Sequence, residues 1–345
     1  MQAPDVTQWG ETDWGIKVPL ADGQGLRLDR ALVGRYGEVL DEAPVGHGMA
    51  PRGAVAEPNT PDFGFRITRK IDCWADDVPE LYERAKAEQW DATRDIPWHR
   101  LPQLPEEIER AVCQIMTFLV ENEYIALYLP SKFISRIDPH YTEVSLLLAT
   151  QVKDEARHIE VYTKRALANG GGLQYVYAST QWALKSLMTQ ESYVKASFLL
   201  HLLGEGTFLD MLKFIEDIAP DPVTREILVR TRQDEARHVG YGVSHVRYLL
   251  RQDPSLSNEL LEAAEERASF LRATSGANPF LQRSLAVLAG GGPEEEKVER
   301  GAERVREFYR KMYETRIHRL MLAGLDGDKA RKIADLHGVG GKAYM

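Results

Sequence analysis

The sequence predicts an all-α protein: a four-helix bundle core with additional helices and an irregular N-terminal arm. Apolar residues recur at helical spacing through most of the chain after Val78, and no segment alternates as a half-buried β-strand does. Four of the predicted helices are about 25–40 residues long, well above the usual length in globular domains. Helices of that length are typical of a bundle.

The first 77 residues form the predicted N-terminal arm. Residues 43–64 hold eight Gly or Pro among 22 positions, which is typical of loop or coil. The sequence leaves open whether this arm wraps the surface, reaches another subunit or stays mobile. We assign residues 78–251 to the bundle and residues 252–345 to a C-terminal helical extension.

The bundle helices have recognisable ends. A proline followed by two acids at 105–107 suits a helix start, and Asp221 before Pro222 is an N-cap pattern. The three glycines at 170–172 predict a helix end. We predict a helix at 79–89, an extended segment to 98, and four bundle helices at about 105–130, 141–168, 179–219 and 221–251. In the extension we predict helices at about 256–274, 295–323 and 328–337, with a glycine-rich break at 290–292.

One pentapeptide, Asp-Glu-Ala-Arg-His, occurs twice, at residues 154–158 and 234–238. Within each copy the Glu and the His are three positions apart, so they share one face of a helix. A carboxylate and an imidazole on one face form a chelating pair for a first-row metal. A single such pair is more often a solvated pair on a helix surface. Its repetition on two long helices predicts a dinuclear site built on Glu155, His158, Glu235 and His238.

A dinuclear carboxylate site also needs acids from the other two bundle helices. The third helix offers Glu205 inside an apolar run, where an ionised carboxylate without a partner would be very costly to bury. The first helix offers Glu121 or Glu123. Aligning the local sequence of the two halves favours Glu121, whereas the helix-to-helix spacing keeps Glu123 open.

The remaining charged residues of the pentapeptides have two interpretations. A histidine that binds a metal usually donates its other ring N–H to a carboxylate, and Asp154 and Asp234 are the candidates for this role across the helix pair. Arg157 and Arg237 then either neutralise and orient these aspartates or form ordinary ion pairs on the helix surface.

The composition excludes several classes of protein. The net charge is −9, from 43 basic and 52 acidic residues, and no basic stripe suggests nucleic-acid binding. No run approaches the roughly 18 apolar residues of a membrane span, and the first residues lack the pattern of a secretory signal. The two cysteines, Cys73 and Cys113, are in no CxxC pattern. We therefore expect a cytoplasmic protein without a nucleic-acid or membrane partner.

Residues 80–250 resemble the ferritin-like diiron carboxylate superfamily. The likeness is greatest to the branch with the ribonucleotide reductase small subunit, its relatives the ligand-binding oxidases, and bacterial multicomponent monooxygenase hydroxylases. In that group the first ligand is a glutamate nine residues before the proline of a Leu-Pro pair, and Glu121 and Pro130 match this spacing. The stretches that carry the resemblance are 81–86 with 89–91, 154–162, 204–207 and 234–242.

The resemblance implies a ferritin-like fold, two iron ions or a manganese–iron pair, and O₂ as co-substrate. It implies an oxidase or oxygenase that hydroxylates, N-oxygenates or oxidatively cleaves a small organic substrate. An electron donor or reductase and a homodimer are the further partners we expect. Phe118, Tyr124, Phe198, Leu202 and Phe208 are candidates to line the substrate pocket. The implied ligands are Glu121, Glu155, His158, Glu205, Glu235 and His238.

Two alternative functions stay open. Tyr162 lies four residues after His158, where the reductase small subunit carries its radical tyrosine, so a radical-generating subunit is one alternative. A non-catalytic metal-binding bundle is the other. The glycine-rich residues 338–345 do not resemble the reductase tail.

Two residues near Glu205 need separate comment. Leu200 stands where the ligand-binding oxidases carry a crosslinking tyrosine, so we expect no such crosslink. His201 lies four residues before Glu205 on the same helix face, which makes it a candidate ligand or acid–base group.

Overall fold

The computed structural model describes residues 15–18, 25–273 and 278–337. Across these residues the regular structure is helical, and the only strand-like pairings are isolated bridges of Glu42 with Arg69 and of Ile67 with Ile137. The all-α prediction is therefore confirmed. The expectation about the tail at 338–345 lies outside the described residues, as does most of the segment in which a secretory signal was sought.

The bundle core is formed by four long helical elements. The helix at Thr142–Ala168 packs along the helix at Glu106–Ile134. The helix at Pro222–Gln252 packs along the helix at Glu205–Ile218. In chain order the α-helices are α1 (Leu28–Ala31), α2 (Val78–Ala87), α3 (Glu106–Ile134), α4 (Thr142–Ala168), α5 (Ala178–Met188), α6 (Tyr193–Ser197), α7 (Glu205–Ile218), α8 (Pro222–Gln252), α9 (Ser257–Ala273), α10 (Pro279–Gly290), α11 (Glu295–Leu322) and α12 (Gly327–His337).

Two helix ends follow the local signals in the sequence. The Asp221 carboxylate accepts hydrogen bonds from the backbone N–H of Val223 and of Thr224, at 2.9 and 2.7 Å, so it caps α8. After α4 the chain turns through Gly170, whose φ of 78° lies in the left-handed region that favours glycine.

The helix prediction was wrong in three places: one helix end, one helix that is divided, and one helix that was not predicted. α3 continues through Pro130 to Ile134 rather than ending there. The lost backbone hydrogen bond is outweighed by burial of the last turn, where Phe133 is 1% exposed. The segment predicted as one helix from 179 is divided into α5, α6, a π-helical segment at Phe198–Gly204 and α7. α10 was not predicted, because the glycines at 290–292 were interpreted as part of a connection between two other helices. They follow the end of a separate helix.

The apolar core has two parts, and the acidic motifs lie between them. On α3 the first part ends at Val120 and the second begins at Ile125. On α4, on the segment that leads into α7, and on α8, the buried residues likewise pass from one part of the core to the other. The change occurs around 154–158, 205 and 234–238. The tertiary fold therefore gathers the polar positions of all four elements into one buried layer.

The described part of the N-terminal arm lies against the bundle. Arg52 is buried, donates to the backbone carbonyl of His140 at 2.7 Å and forms an ion pair with Glu143 near the start of α4. This contact supports an arm that wraps the surface. Among the described residues, no helix combines the length and apolarity that a bilayer crossing requires. The domain boundaries at 77 and 251 stay predictions.

Candidate dimetal site

Two groups of metal-ligand side chains meet in the buried layer. Glu123, Glu155, His158 and Glu235 form one group, and within it one ligand atom from each residue lies within 4.8 Å of the others. The second group, with the same spacing, joins Glu155 and Glu235 to Glu205 and His238. All six side chains are buried. Because Glu155 and Glu235 belong to both groups, they are the residues that would be shared between two bound cations.

Each histidine directs one ring nitrogen at this cluster and the other at an aspartate. Nδ1 of His158 lies 3.1 Å from Glu155 Oε2, and Nδ1 of His238 lies 3.0 Å from Glu155 Oε1. On the opposite side, Nε2 of His158 is 3.1 Å from Asp234 Oδ2, and Nε2 of His238 is 3.3 Å from Asp154 Oδ2. The aspartate of each pentapeptide thus faces the histidine of the other. An aspartate that accepts from Nε2–H leaves Nδ1 free for a metal.

The two arginines of the pentapeptides are inside the bundle. Arg157 Nη2 lies 2.6 Å from Asp154 Oδ1 and from Asp234 Oδ2, and Arg237 Nη2 lies 3.1 Å from Asp154 Oδ2 and also contacts Asp234. The interpretation of these arginines as ordinary surface ion pairs was therefore wrong. Two arginines balance two aspartates in this network, so it adds no net charge beside the ligand cluster.

Neighbouring side chains complete the network. The indole Nε1 of Trp90 donates to Asp234 Oδ2 at 2.8 Å, and the Arg157 guanidinium lies 4.6 Å from the centre of the Trp90 ring. Gln89 donates to Asp154 Oδ1 at 3.0 Å and accepts from Arg157 at 2.9 Å. Both hydrogen-bond partners lie in the 89–91 segment, which sequence analysis noted only for its resemblance.

The ligand cluster, in contrast, has unbalanced carboxylates. Both oxygens of Glu235 and one oxygen each of Glu123 and Glu205 are buried and form no hydrogen bond with the described residues, and Glu155 Oε1 faces His238 Nδ1 at 3.0 Å. Burial, together with the neighbouring carboxylate Glu155, raises the pKa of Glu123 well above its ordinary value. Burial and Glu235 do the same to the pKa of Glu205. An unpartnered buried carboxylate is strongly unfavourable.

Two divalent cations would correct this imbalance, since their charge equals that of four carboxylates. They would also occupy the oxygen atoms left without partners. Four carboxylates and two imidazoles are a donor set suited to first-row transition metals. The residues present therefore fit a dinuclear metal centre.

Glu121, the preferred first-helix ligand, lies outside both groups. Its carboxylate accepts a 3.0 Å hydrogen bond from Gln181 on α5, and burial raises its pKa to about 7. Two positions along a helix correspond to a rotation of about 200°, so Glu121 and Glu123 point to different sides of α3. The geometry therefore favours Glu123 over Glu121, against the preference drawn from the sequence, and the identity of the first-helix ligand stays a prediction.

His201 is also outside both groups. Its Nε2 lies 3.0 Å from Gln151 Oε1, and the Gln151 amide donates to Glu205 Oε1 at 2.8 Å. Ser197 Oγ is 2.9 Å from the other ring nitrogen. Burial lowers the pKa of His201 to about 3, so the ring is neutral at ordinary pH. The residue therefore reaches the cluster through Gln151 and not as a ligand.

Tyr162 lies beside the cluster in the core. Its side chain is fully buried, its ring centre is 6.3 Å from that of His158, and burial raises its pKa well above the ordinary value. The phenol is therefore protonated at neutral pH.

Comparison with solved structures gives the fold. An R2-like ligand-binding oxidase mutant with an anaerobically reconstituted Mn/Fe cofactor matches with a TM-score of 0.54 at 17% identity, over 70% of this chain and 92% of that one. A mutant with an aerobically reconstituted Fe/Fe cofactor matches with a TM-score of 0.53, also at 17% identity over 70% and 92%. A third, with an aerobically reconstituted Mn/Fe cofactor, gives 0.50 at 16% identity over 72% and 92%. The fold is ferritin-like.

Sequence comparison adds nothing to this result. No family model matches the chain, and no curated protein matches it significantly. The ferritin-like fold agrees with the resemblance noted in the sequence, and the buried carboxylate–histidine cluster of this chain is able to hold a dinuclear metal centre.

A cavity of about 170 Å³ adjoins the cluster of the ferritin-like bundle. Glu123, Glu205 and Glu235 form part of its wall. Phe118 and Phe208, predicted as lining residues, lie on the apolar wall and stack with their ring centres 5.9 Å apart. The other three predicted lining residues do not line it: Phe198 and Leu202 are buried in the core, and Tyr124 is 42% exposed.

Two cavity residues were missed by the sequence analysis. Arg267 on α9 and His337 at the end of α12 also line this cavity. Both helices belong to the C-terminal extension, far along the chain from the metal motifs. A single sequence contains no local signal that brings them to the site.

Proposed function

We propose that this ferritin-like protein is an O₂-activating dimetal oxidase or oxygenase that acts on a small organic substrate. The observation that carries the proposal is the pair of ligand groups sharing Glu155 and Glu235, with unpartnered carboxylate oxygens beside a cavity. The proposed cofactor is two iron ions or a manganese–iron pair. The proposed ligands are Glu123, Glu155, His158, Glu205, Glu235 and His238, so that Glu123 takes the place first given to Glu121.

When bound, such a metal pair supplies reduction of O₂ by two electrons at once. The residues of this chain perform the other tasks. Asp154 and Asp234 keep the histidines oriented by holding their Nε2–H groups. The two parts of the apolar core exclude water from the buried layer. The cavity beside Glu205 and Glu235 binds the substrate next to the metals. Electrons come from a donor protein, a small reductant or the substrate.

The first test is anaerobic loading with Fe(II), followed by metal analysis and exposure to O₂. We expect about two metals per chain in the wild type and a large loss in Glu155→Ala and Glu235→Ala, because each removes a ligand shared by both metals. Glu191→Ala is the matched control, since Glu191 is 66% exposed and pairs with Lys132 and Arg136 at the surface. A wild-type content near zero, or unchanged content in both ligand variants, would contradict the metal site.

Catalysis is tested separately from metal binding. Loaded wild-type protein is expected to consume O₂ repeatedly when an oxidisable substrate and a reductant are present. Stoichiometric uptake of O₂ without turnover across a substrate panel would favour the non-catalytic metal-binding bundle.

A radical-generating subunit is the second candidate, favoured by the buried position of Tyr162 beside His158. Exposure of the Fe(II)-loaded protein to O₂ would then produce a tyrosyl signal in electron paramagnetic resonance. Tyr162→Phe would abolish it. Unchanged small-molecule turnover in Tyr162→Phe would instead support the oxidase or oxygenase.

A further inference from the structure

The cavity beside the metal ligands has a cationic residue in its wall. Arg267 projects from α9, lines the same cavity as Glu123 and Glu205, and is 7% exposed. Its Nη1 donates to Ser186 Oγ at 2.9 Å and to the backbone carbonyl of Ala183 at 3.2 Å, both on α5. These two bonds fix the guanidinium against α5.

Among the described residues, no acid forms an ion pair with Arg267. Neither of its hydrogen bonds reaches a carboxylate, and its Nε is buried without a hydrogen-bond partner among the described residues. Burial lowers its pKa to about 10, so the group remains charged at neutral pH. Arg157 and Arg237, in contrast, both pair with aspartates. An unpaired buried cation is costly unless an anion joins it.

His337, the other basic residue of this cavity, carries no charge that affects Arg267. It lines the same cavity, and burial together with Arg316 and Arg267 lowers its pKa well below the ordinary value. The ring is therefore neutral near pH 7. Three glutamates line the same cavity, but no described acid forms an ion pair with Arg267.

We propose that Arg267 binds the carboxylate of a small, otherwise apolar substrate and so directs the opposite end of that substrate toward the metal ligands. This inference rests on the proposed function, because it names the substrate class of that site. A guanidinium offers paired N–H groups that match a carboxylate, and such charge-assisted bonds are stronger than neutral ones. The aromatic and aliphatic wall around Phe118, Leu187 and Phe208 accommodates the apolar body.

Cavity size and charge restrict the substrate further. A 150 Å³ apolar cavity accepts a molecule about the size of benzene, so the volume of about 170 Å³ suits an aryl or short alkyl carboxylate. Glu123, Glu205 and Glu235 line the same cavity, and in the metal-free protein their carboxylates repel a second anion. In this proposal Arg267, and not the metals, holds the substrate carboxylate, so oxidation falls on an atom distant from it.

The test is calorimetric binding of 3-phenylpropanoate, hexanoate and octanoate, each compared with its uncharged primary amide. We expect at least one carboxylate to bind wild-type protein roughly tenfold to hundredfold more tightly than its amide, as a charge-assisted hydrogen bond contributes. Arg267→Met should remove this preference, and Arg267→Lys should restore part of it. Arg283→Met is the control, since Arg283 is exposed on α10.

Measurements on metal-free and metal-loaded protein separate this inference from the proposed function. Arg267→Met should keep the wild-type metal content and an equal or higher unfolding temperature, because it removes an unpaired buried charge. If the wild type does not bind metal, the proposed function is wrong. The carboxylate preference can still be measured on the metal-free protein. Equal carboxylate binding by wild type and Arg267→Met, binding that requires metal, or no binding of any of the three carboxylates would overturn the inference.

Discussion

Glu155 and Glu235 are the side chains on which the proposed centre depends most, because each lies in both ligand groups. The histidines have a more specific task. Each presents Nδ1 to the cluster because an aspartate from the opposite pentapeptide lies at Nε2. A change at either aspartate would therefore alter the orientation of an imidazole without removing a ligand.

A prediction at the residue scale concerns the first-helix carboxylate. Glu123→Gln should lower the metal content from about two per chain toward one, because Glu123 belongs to only one of the two groups. Glu121→Gln should keep two metals, since that carboxylate faces Gln181 on α5. Metal analysis after anaerobic loading measures both. Retention of two metals in Glu123→Gln with a loss in Glu121→Gln would restore the original assignment.

The π-helical segment is the element that most affects the geometry of the site. Its backbone bonds skip five residues, as in the bond from the Glu205 N–H to the Leu200 carbonyl, so one additional residue is accommodated before α7. This shift sets the rotation at which Glu205 enters the cluster. The same segment carries His201, which holds Gln151 against Glu205. A continuous α-helix would present a different face to α8.

Close packing of α8 on this segment gives a prediction at the element scale. A Cβ added at Gly242 would lie 2.5 Å from His201 Cβ and 3.2 Å from its backbone carbon, so Gly242→Ala must push the two elements apart. We expect a loss of about 1–3 kcal/mol in the free energy of unfolding, as for overpacked cores. Metal content should also fall, because Glu205 moves with the segment.

Gly240→Ala on the same helix is the matched control. Its new Cβ would lie 3.8 Å from the nearest side-chain atom, which is an ordinary contact. Replacing a helical glycine by alanine should then stabilise α8 by up to about 1 kcal/mol. Equal stability and metal content in the two variants would show that close approach at Gly242 does not position the segment.

At the scale of the whole molecule, a charged layer is enclosed between two apolar parts. The aspartate–arginine network in that layer is balanced within the protein, whereas the glutamate cluster is not. The aspartate–arginine network is therefore neutralised within the protein, whereas the glutamate cluster requires cations to balance its charge. Metal binding is expected to stabilise the fold, since cations bind the folded state and not the dispersed ligands of the unfolded chain.

Burial of His201 makes the stability of the whole molecule depend on pH. The folded pKa is about 3, below the unfolded value of about 6.5. As the pH falls below 6.5 the unfolded state gains a proton that the folded state does not, so stability is lost toward lower pH. The loss approaches about 1.4 kcal/mol per pH unit. Between pH 6.5 and 5, metal-free His201→Gln should therefore lose about 2 kcal/mol less stability than the wild type.

Chemical denaturation at a series of pH values measures this difference. His318→Gln is the control, because His318 is exposed on α11. If the free energy of unfolding depended on pH equally in the wild type and in His201→Gln, His201 would take up its proton in the folded state as readily as in the unfolded state. A buried, neutral His201 would then be excluded. The homodimer stays a prediction, to be checked by light scattering.

The sequence by itself placed the Glu and the His of each pentapeptide on one helix face, because their spacing is a local property of one helix. It also determined the all-α class and the caps, which depend on residues a few positions apart. The choice of Glu123 over Glu121 depended on which side of α3 faces the other helices. The division of the third helix, the burial of Arg157 and Arg237 and the position of Arg267 likewise required the tertiary structure. These features depend on contacts between distant segments, and local spacing carries no information about which faces meet.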